Sequence, residues 1–254
     1  MTRHGALGAL CPGPRLVPGL ADELWNPSCF AVQVRGNPPA DQARLRCPAY
    51  GDAFGQTPRR VWYTRLMEDE YKALRTLANE AGATHAAIVE AAGLVVHESV
   101  RQNCLVNYCG KSKRNWTCPP HTGELDVLGA RLRTYAVGVL VQNVSPLEDS
   151  WDFEGMTKAA HDHNLMIRAI AKEIVARFPD LDVLPLGCGG CDFCEKCICP
   201  DAPCRFPQEA MASVEAQGLD IKALVESVGL SYIDGANTVS YVGMVMVRPR
   251  GQEP

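Results

Sequence analysis

Nine of the twelve cysteines lie in two short stretches of the chain. The denser stretch holds six cysteines in 17 residues, and three successive C-x2-C steps separate the first four of them. Two intervening residues let the chain reverse locally, so that neighbouring thiolates can reach one ion or one cluster. This spacing predicts a metal centre and argues against disulfides. The six cysteines are Cys188, Cys191, Cys194, Cys197, Cys199 and Cys204.

Two ligand frames fit this denser stretch. A bacterial ferredoxin run opens with C-x2-C-x2-C and closes with Cys-Pro, and here Cys199-Pro200 follows Cys194 one residue later than in that run. The first frame is Cys188, Cys191, Cys194 and Cys199, and the second is Cys191, Cys194, Cys197 and Cys204. Either frame supplies four thiolates for one [4Fe–4S] cube. Zinc is the rival metal, although zinc sites usually separate their two C-x2-C pairs by a longer spacing.

The first cysteine stretch reads Cys104-x4-Cys109-x8-Cys118-Pro119-Pro120 and is one thiol short of a complete ligand set. The fourth ligand could be Cys188 or Cys199 from the other stretch, or His121 or another side chain. The remaining possibility is an open iron that binds substrate or water as a Lewis acid. A second cube is possible only if the two stretches meet in space.

Basic residues surround the first stretch. Cations near an all-thiolate cluster stabilise its negative charge and raise its reduction potential. These residues are Arg101, Lys111, Lys113 and Arg114. For any single one of them, a position on a solvated loop is the favoured interpretation. Trp116 is interpreted as a cover for the loop.

Other chemistry is weakly indicated. His161 and His163 are two residues apart in a predicted helix, which places their rings on different faces and argues against a shared metal. The sequence contains no P-loop, G-x-S-x-G or H-E-x-x-H motif and no dinucleotide fingerprint. It therefore predicts no catalytic residue and leaves open whether the protein is an enzyme.

Bulk properties limit compartment and partners. The net charge of −4 argues against a general nucleic-acid binder, and no run of 18 apolar residues indicates a membrane span. The N-terminus lacks the continuous apolar stretch of a signal peptide. We therefore expect a cytoplasmic protein, in whose reducing environment clustered thiols are more often ligands than disulfides.

The N-terminal quarter differs from the rest of the chain. Residues 1–60 contain eight of the 18 prolines and seven of the 22 glycines, without a helical or strand period. We expect residues 1–66 to be a disordered extension, or to precede a natural start at Met67, and we read the isolated Cys11, Cys29 and Cys47 as bystanders. An intact mass that retained residues 1–60 would contradict the start at Met67. Residues 67–250 are then the metal-binding domain.

Periodicity predicts an α+β or α/β domain with a small mixed sheet of about four strands and packed helices. Both cysteine loops are expected to leave the ends of elements. The predicted helices are 67–82, 123–133, 155–178, 208–217 and 219–228. The predicted strands are 84–89, 135–142, 182–186 and 239–247.

Residues 67–248 resemble the predicted metal-binding proteins of domain-of-unknown-function family 2284. The resemblance runs through the helix at Met67, Val100-Arg101, the Cys104/Cys109/Cys118-Pro-Pro loop, Tyr135, Gly190-Cys191-x2-Cys194-x2-Cys197, Pro203-Cys204-Arg205-x-Pro207 and Ser213-Val-Glu215-Ala-x-Gly218-Leu-Asp220. The resemblance implies that the second frame is the ligand set and that Cys188 and Cys199 are extras. The chain departs from the family pattern at Ser112-Lys113, where Tyr-Gly is typical.

The leading expectation is an iron–sulfur protein with one or two [4Fe–4S] clusters that serves as a redox accessory to a partner enzyme. Because the resembled family is common in anaerobic microbes and is associated with corrinoid-dependent methyl transfer, the resemblance implies a partner in a corrinoid-linked methyltransferase system. One alternative is an enzyme whose three-cysteine cluster keeps an iron open for a small substrate. Another is a zinc protein whose metal organises a structural or interaction surface.

Overall fold

A four-stranded antiparallel sheet lies at the centre of the fold. A computed structural model of the chain describes residues 68–251. The predicted N-terminal extension and its three cysteines lie outside the described residues. The strands are β1 (His85–Glu90), β2 (Val137–Pro146), β3 (Leu181–Leu186) and β4 (Thr238–Pro249), in the sheet order β1-β2-β4-β3.

The α+β prediction is confirmed, with one correction to the sheet. Every strand pairing is antiparallel, so the sheet is not mixed. β2 and β3 run in the same direction, but β4 lies between them, and no parallel neighbours are therefore formed. β4 pairs with β2 over its first ten residues and with β3 over its last six.

Five α-helices accompany the sheet in the described part of the chain. They are α1 (Glu68–Glu80), α2 (Glu98–Val106), α3 (Leu125–Leu132), α4 (Phe153–Arg177) and α5 (Ile221–Ser227). Four of them correspond to predicted helices. α2 was not predicted, because its mostly polar sequence hides the apolar period.

The helix predicted over residues 208–217 is wrong. Only Glu215–Gln217 forms a short 3₁₀ turn there. Ser213 instead forms a parallel bridge with Gly187, and the Val214 N–H donates to the Gly187 carbonyl over 3.1 Å. Pairing with the chain just beyond β3 therefore satisfies backbone groups that a helix would have used internally.

The strands bury side chains on both faces of the sheet. In β2, Val137, Val139 and Val141 face one core layer, and Leu140 faces the other. α1 and α4 cover the first layer through residues such as Leu74 and Ile170, whereas α3, α5 and the segment around Leu219 cover the second. Since successive side chains of a strand point to opposite faces, a sheet buried on both sides requires this continuous apolar run.

Both cysteine stretches leave the ends of elements, as expected, although the first begins inside one. Cys104 lies in the last turn of α2. Asn107, the residue that caps the C-terminus of this helix, adopts the left-handed conformation with φ 65°. The second stretch starts two residues after β3. In the described residues, no helix is long and apolar enough to cross a membrane.

Candidate metal centre

The nine cysteines of the described residues are all free thiols, so none of them is used in a disulfide. Seven of the nine line two separate pockets, divided according to the two stretches. Cys191, Cys194, Cys197 and Cys204 line one pocket. Cys104, Cys109 and Cys118 line the other. The three cysteines of the first stretch thus share one pocket, and four of the six in the second stretch share the other.

The four-thiol pocket is small and bounded by aromatic rings. Its four cysteines are all half-buried, and the space they enclose is about 20 Å³, room for about one water molecule. Phe193 and Phe206 pack edge to face across it with ring centroids 5.2 Å apart. Trp116 also lines the pocket, and its ring N–H donates to the Ala202 carbonyl over 3.0 Å. These rings shield the thiols from solvent, and Trp116 covers this second loop as well as its own.

Cys188 and Cys199 lie outside both pockets. The Cys188 thiol is buried against α4, where it donates to the Ala160 carbonyl over 3.6 Å, and burial raises its pKa to about 12. The Cys199 thiol is also buried and donates to the Lys113 carbonyl over 3.8 Å. Of the two ligand frames, only the second has all of its thiols around one space. Cys188 and Cys199 have structural contacts instead.

One face of α4 holds the start of the second stretch. Asn164 accepts from the Cys188 N–H over 2.9 Å and donates to the Cys188 carbonyl over 3.1 Å, which clamps the backbone at both groups. Asn164, His161 and Arg168 all contact Asp192 at 3.0–3.1 Å. Burial by itself raises the pKa of Asp192, but the hydrogen bonds from Asn164 and His161 and the Arg168 charge hold that pKa below its ordinary value.

Arg168 brings a buried positive charge to the four-thiol pocket. Its side chain is only 9% exposed, and it donates to Asp192 Oδ1 over 3.1 Å. Its other terminal nitrogen lies 3.8 Å from the Cys191 sulfur, and the guanidinium lies over the Phe193 ring at 5.7 Å. A fixed N–H donor beside a thiolate stabilises its negative charge.

The three-thiol cavity is larger, about 540 Å³. Burial raises the pKa of the Cys118 thiol to about 12, and the neighbouring Cys109 and Cys104 add to the rise. Burial also raises the pKa of Cys104, followed by the charges of Glu215 and Cys109. The three thiols line the same cavity. The cavity is lined in addition by Ser112, Gly189, Gly190, Ser213, Glu215 and Asp220, among others.

The basic residues predicted around this cavity have unequal roles. The Arg101 charge lowers the pKa of Cys104, and the Lys111 charge lowers that of Cys118. Arg101 is buried and its guanidinium donates to the Thr122 hydroxyl and the Gly123 carbonyl, both over 2.9 Å. Lys113 and Arg114 are exposed, as a solvated loop requires.

His121 is absent from the lining of the three-thiol cavity. It is exposed, and its ring packs edge to face on Trp116 with centroids 4.5 Å apart. His163 lies in the core, where Nδ1 is 2.7 Å from Asn143 Oδ1. Neither histidine therefore reaches a cysteine-lined pocket.

The backbone at Lys113 has a conformation that is unusual for a residue other than glycine. Lys113 adopts φ 63°, the left-handed region in which glycine is at ease and other residues are strained. Neighbouring contacts hold it there, since the Lys113 N–H and the Ser112 hydroxyl both donate to the Pro119 carbonyl, over 2.9 and 3.0 Å. The loop thus keeps a conformation suited to glycine although the chain has lysine.

The two pockets are neighbours joined by the segment before Cys118. Asn115 donates to the Cys191 carbonyl over 2.9 Å, and the Cys191 N–H donates to the Thr117 hydroxyl over 3.2 Å. Asn115 and Thr117 line the four-thiol pocket, while Cys118 lines the three-thiol cavity. At Gly190 an added Cβ would lie 3.1 Å from the Lys111 side chain, so the two loops pack closely.

The thiols line their pockets without converging on one point. Within residues 68–251, no three side chains of His, Cys, Asp or Glu are close enough together to hold a single metal ion. Each thiolate of a [4Fe–4S] centre binds a different iron, so a cube requires its sulfur atoms around a space rather than at one point. Seven thiols in two adjacent pockets fit that chemistry.

Sequence reasoning missed the residues that organise the site from outside the cysteine stretches. Asn164 and Arg168 were read only as part of a helix. Asn164 and Arg168 are four residues apart, and His161 and Asn164 are three apart. Residues at these spacings share a helix face, and this was the signal in the sequence that they could act together. Glu215 lay within the quoted family motif without a role, and its place beside Cys104 depends on the pairing of Ser213 with Gly187.

The fold and the two pockets define a class, an α+β protein with seven free cysteines that line two adjacent pockets. The model of the family "Predicted metal-binding protein (DUF2284)" matches residues 87–247, and the chain belongs to that family. The resemblance seen in the sequence is thereby confirmed. No curated protein and no solved structure matches the chain.

Proposed function

We propose that this protein is an iron–sulfur protein with two neighbouring [4Fe–4S] centres that exchanges electrons with a partner enzyme. The observation that carries the proposal is the pair of adjacent pockets, one lined by four thiols and the other by three. Cys191, Cys194, Cys197 and Cys204 would hold the first centre, and Cys104, Cys109 and Cys118 the second. When bound, such centres supply one-electron redox chemistry.

The surroundings of the thiols support this chemistry. Arg168 lies beside Cys191, and Arg101 and Lys111 act on the thiols of the larger cavity. All three favour the thiolate form that a metal requires and the more negative reduced state of a cluster. Two centres separated only by residues 115–118 would form a short route for electrons through the molecule.

Metal binding should be coupled to the order of the second loop. The four-thiol pocket has room for about one water molecule, which is far less than a four-iron cube occupies. The loop would therefore have to open around the cluster and exchange contacts among the thiols and rings for bonds to the metal. Because the loop is short and contributes little to either core layer, much of its stability would come from the metal.

A second candidate function is an enzyme in which one iron of the three-thiol centre binds a small substrate. The cavity of about 540 Å³ beside Cys104, Cys109 and Cys118 favours this alternative, since its size suits a small molecule. Zinc in a structural role is the third candidate. The successive C-x2-C steps favour iron over zinc, because zinc pairs are usually farther apart in sequence.

Anaerobic purification with metal and sulfide analysis tests the proposal. We expect a brown protein with about eight irons and eight sulfides per chain, the content of two four-iron cubes. A colourless protein with stoichiometric zinc, or one without metal, would overturn the iron–sulfur function. A protein that turns over a small molecule only while iron is bound would favour the enzyme over the electron carrier.

The assignment of ligands is tested by a matched pair of cysteine variants. Cys194→Ser should remove one cluster, about four irons per chain, and lower the melting temperature, because Cys194 lines the four-thiol pocket. Cys199→Ser is the control, since Cys199 lies in the same loop but outside the pocket. Equal iron content in the two variants would contradict the ligand set.

The family association with corrinoid-dependent methyl transfer suggests the class of partner. A corrinoid methyltransferase system requires single electrons to return oxidised cobalt to its active state. We expect the dithionite-reduced protein to transfer one electron per cluster to a corrinoid protein with Co(II), followed by its visible spectrum. Failure to transfer electrons at a rate above that of free dithionite would remove this partner from consideration.

A further inference from the structure

Glu215 has a buried side-chain oxygen beside the three thiols of the larger cavity. It lines this cavity together with Cys104, Cys109 and Cys118. Its Oε2 atom is buried and has no hydrogen-bond partner among the described residues. An unsatisfied buried polar atom is costly, and a cation bound at the neighbouring thiols would satisfy this oxygen.

The position of Glu215 is fixed by the chain on both sides of it. Val214 donates to the Gly187 carbonyl, and the Gly187 N–H donates to the Ala212 carbonyl over 2.9 Å. The Ala216 N–H donates to the Ser213 hydroxyl over 3.1 Å, which holds the 3₁₀ turn that begins at Glu215. Both the carboxylate and the second cysteine stretch are therefore anchored at the end of β3.

Within residues 68–251, no cation compensates Glu215. It forms no salt bridge there, and the Arg101 guanidinium is engaged by Thr122 and Gly123. A metal bound at the three thiols would supply the missing positive charge.

The other candidates for a fourth ligand are directed elsewhere. Cys188 donates to the Ala160 carbonyl, Cys199 to the Lys113 carbonyl, and His121 packs on Trp116. None of the three lines the cavity, whereas Glu215 does.

We propose that the Glu215 carboxylate is the fourth protein ligand of the metal centre held by Cys104, Cys109 and Cys118. This inference rests on the proposed function. A carboxylate oxygen is a harder donor than a thiolate and binds iron in such a cluster less firmly. The iron that Glu215 would hold is therefore expected to be the exchangeable one.

The test measures how firmly that one iron is held. Oxidation of the anaerobically purified full-length protein with ferricyanide removes one electron from a [4Fe–4S]²⁺ centre and releases one Fe²⁺, which leaves [3Fe–4S]⁺ with its own EPR signal. Titration with ferrous iron under reducing conditions then gives the affinity for the missing iron. Wild-type protein should show the signal from one centre and recover fully.

Three variants decide the role of Glu215. Glu215→Ala should weaken the affinity for the returning Fe²⁺ about tenfold or more, and Glu215→Cys should strengthen it and reduce the [3Fe–4S] signal, because a thiolate replaces the oxygen donor. Asp220→Asn is the matched control, since Asp220 lines the same cavity but is used to cap α5 at the Ala223 N–H. We expect this control to match wild type.

The possible results distinguish a failure of the Glu215 assignment from a failure of the proposed iron–sulfur function. If the wild type holds two clusters but Glu215→Ala and Asp220→Asn bind the returning Fe²⁺ with equal affinity, Glu215 is not a ligand. The iron–sulfur function would then still stand. Loss of the second centre, that of Cys104, Cys109 and Cys118, in Glu215→Ala without rescue by Glu215→Cys would show a structural role and also overturn the role of Glu215 as a ligand. Wild-type protein without metal would overturn both proposals.

If the protein binds zinc instead of iron, the proposed iron–sulfur function is wrong. The role of Glu215 as a metal ligand can still be tested. Zinc-edge X-ray absorption should then show an oxygen neighbour at about 2.0–2.2 Å that is lost in Glu215→Ala and kept in Asp220→Asn. A zinc environment of sulfur alone in the wild type would overturn the assignment.

Discussion

Single residues outside the cysteine stretches set the properties of the candidate site. Arg168 is the clearest case, because one guanidinium contacts Asp192, lies over Phe193 and approaches the Cys191 sulfur. Sequence alone shows an arginine on a helix, where a solvent-facing position is the ordinary expectation. Its burial beside a thiol would make it a determinant of the electrostatics of the proposed centre.

Replacement of Arg168 should shift the reduction potential of the four-thiol centre. Arg168→Met removes a positive charge and an N–H donor, so we expect a potential lower by on the order of 50 mV, equivalent to about 1 kcal/mol for one electron. Arg168→Lys should give a smaller shift, because the charge is kept. Lys172→Met, an exposed position one turn farther along α4, serves as the control in anaerobic voltammetry. Equal potentials in all three variants would contradict this role.

His163 predicts a pH dependence of stability. Burial lowers its pKa to about 4, below the ordinary value of 6.5. Between these pH values the unfolded chain binds a proton that the folded protein does not, so the free energy of unfolding falls as the pH drops from 6.5 to 4. The loss should reach about 3 kcal/mol near pH 4.

The measurement compares thermal unfolding of wild type and His163→Gln from pH 7.5 to pH 4.5. The variant should lose less stability over this range than wild type, and the His163 ring should show no NMR titration above pH 5. His161→Gln is the control, since His161 is about half exposed. A His163 titration midpoint near 6.5 would show that burial does not hold the ring neutral.

At the scale of elements, α4 and the end of β3 together position the second cysteine loop. Gly187 is the point of contact, because an added Cβ would overlap the Asn164 side-chain oxygen and lie 2.5 Å from the Met211 methyl group. That oxygen accepts from the Cys188 N–H. The glycine is therefore needed for the close approach of the strand end to the helix.

Gly187→Ala should weaken both the fold and the metal site. Displacement of Asn164 removes its two bonds to Cys188, and overpacking costs about 1–3 kcal/mol, which lowers the melting temperature by roughly 2–10 °C for a domain of this size. Iron content should fall as the loop loses its anchor. Gly93→Ala is the control, since nothing lies within 4 Å of its added Cβ. Equal melting temperatures for the two variants would contradict the account.

At the scale of the molecule, residues 68–251 contain the sheet, both core layers and both thiol-lined pockets. Removal of residues 1–66 should therefore leave the iron content and melting temperature unchanged. Metal analysis and calorimetry of the truncated and full-length proteins test this prediction. A loss of iron on truncation would mean that Cys11, Cys29 or Cys47 takes part in binding.

A sequence pattern predicts structure only where the residues that interact lie close together along the chain. The C-x2-C steps are local, and they predict that thiols of the second stretch gather, because two intervening residues suffice to bring neighbours together. They leave two ligand frames open, and the thiols of the frame that the family resemblance favours share one pocket. The strands were visible for a similar reason, since runs such as Val137–Val141 are buried on both faces. The short bridge between Ser213 and Gly187 leaves no local pattern in the sequence. Periodicity therefore predicts a helix over residues 208–217 that the structure does not contain.

The sequence by itself determined the two cysteine stretches, a sheet of about four strands with packed helices, and the family. Only the tertiary structure decided that the two sets line adjacent pockets, that Cys188 and Cys199 lie outside them, and that Arg168 and Glu215 approach thiols far away in the chain. The physical reason is that ligand spacing is a short-range property of the backbone. The surroundings of the ligands depend on which strand end and which helix face the packed core brings beside them.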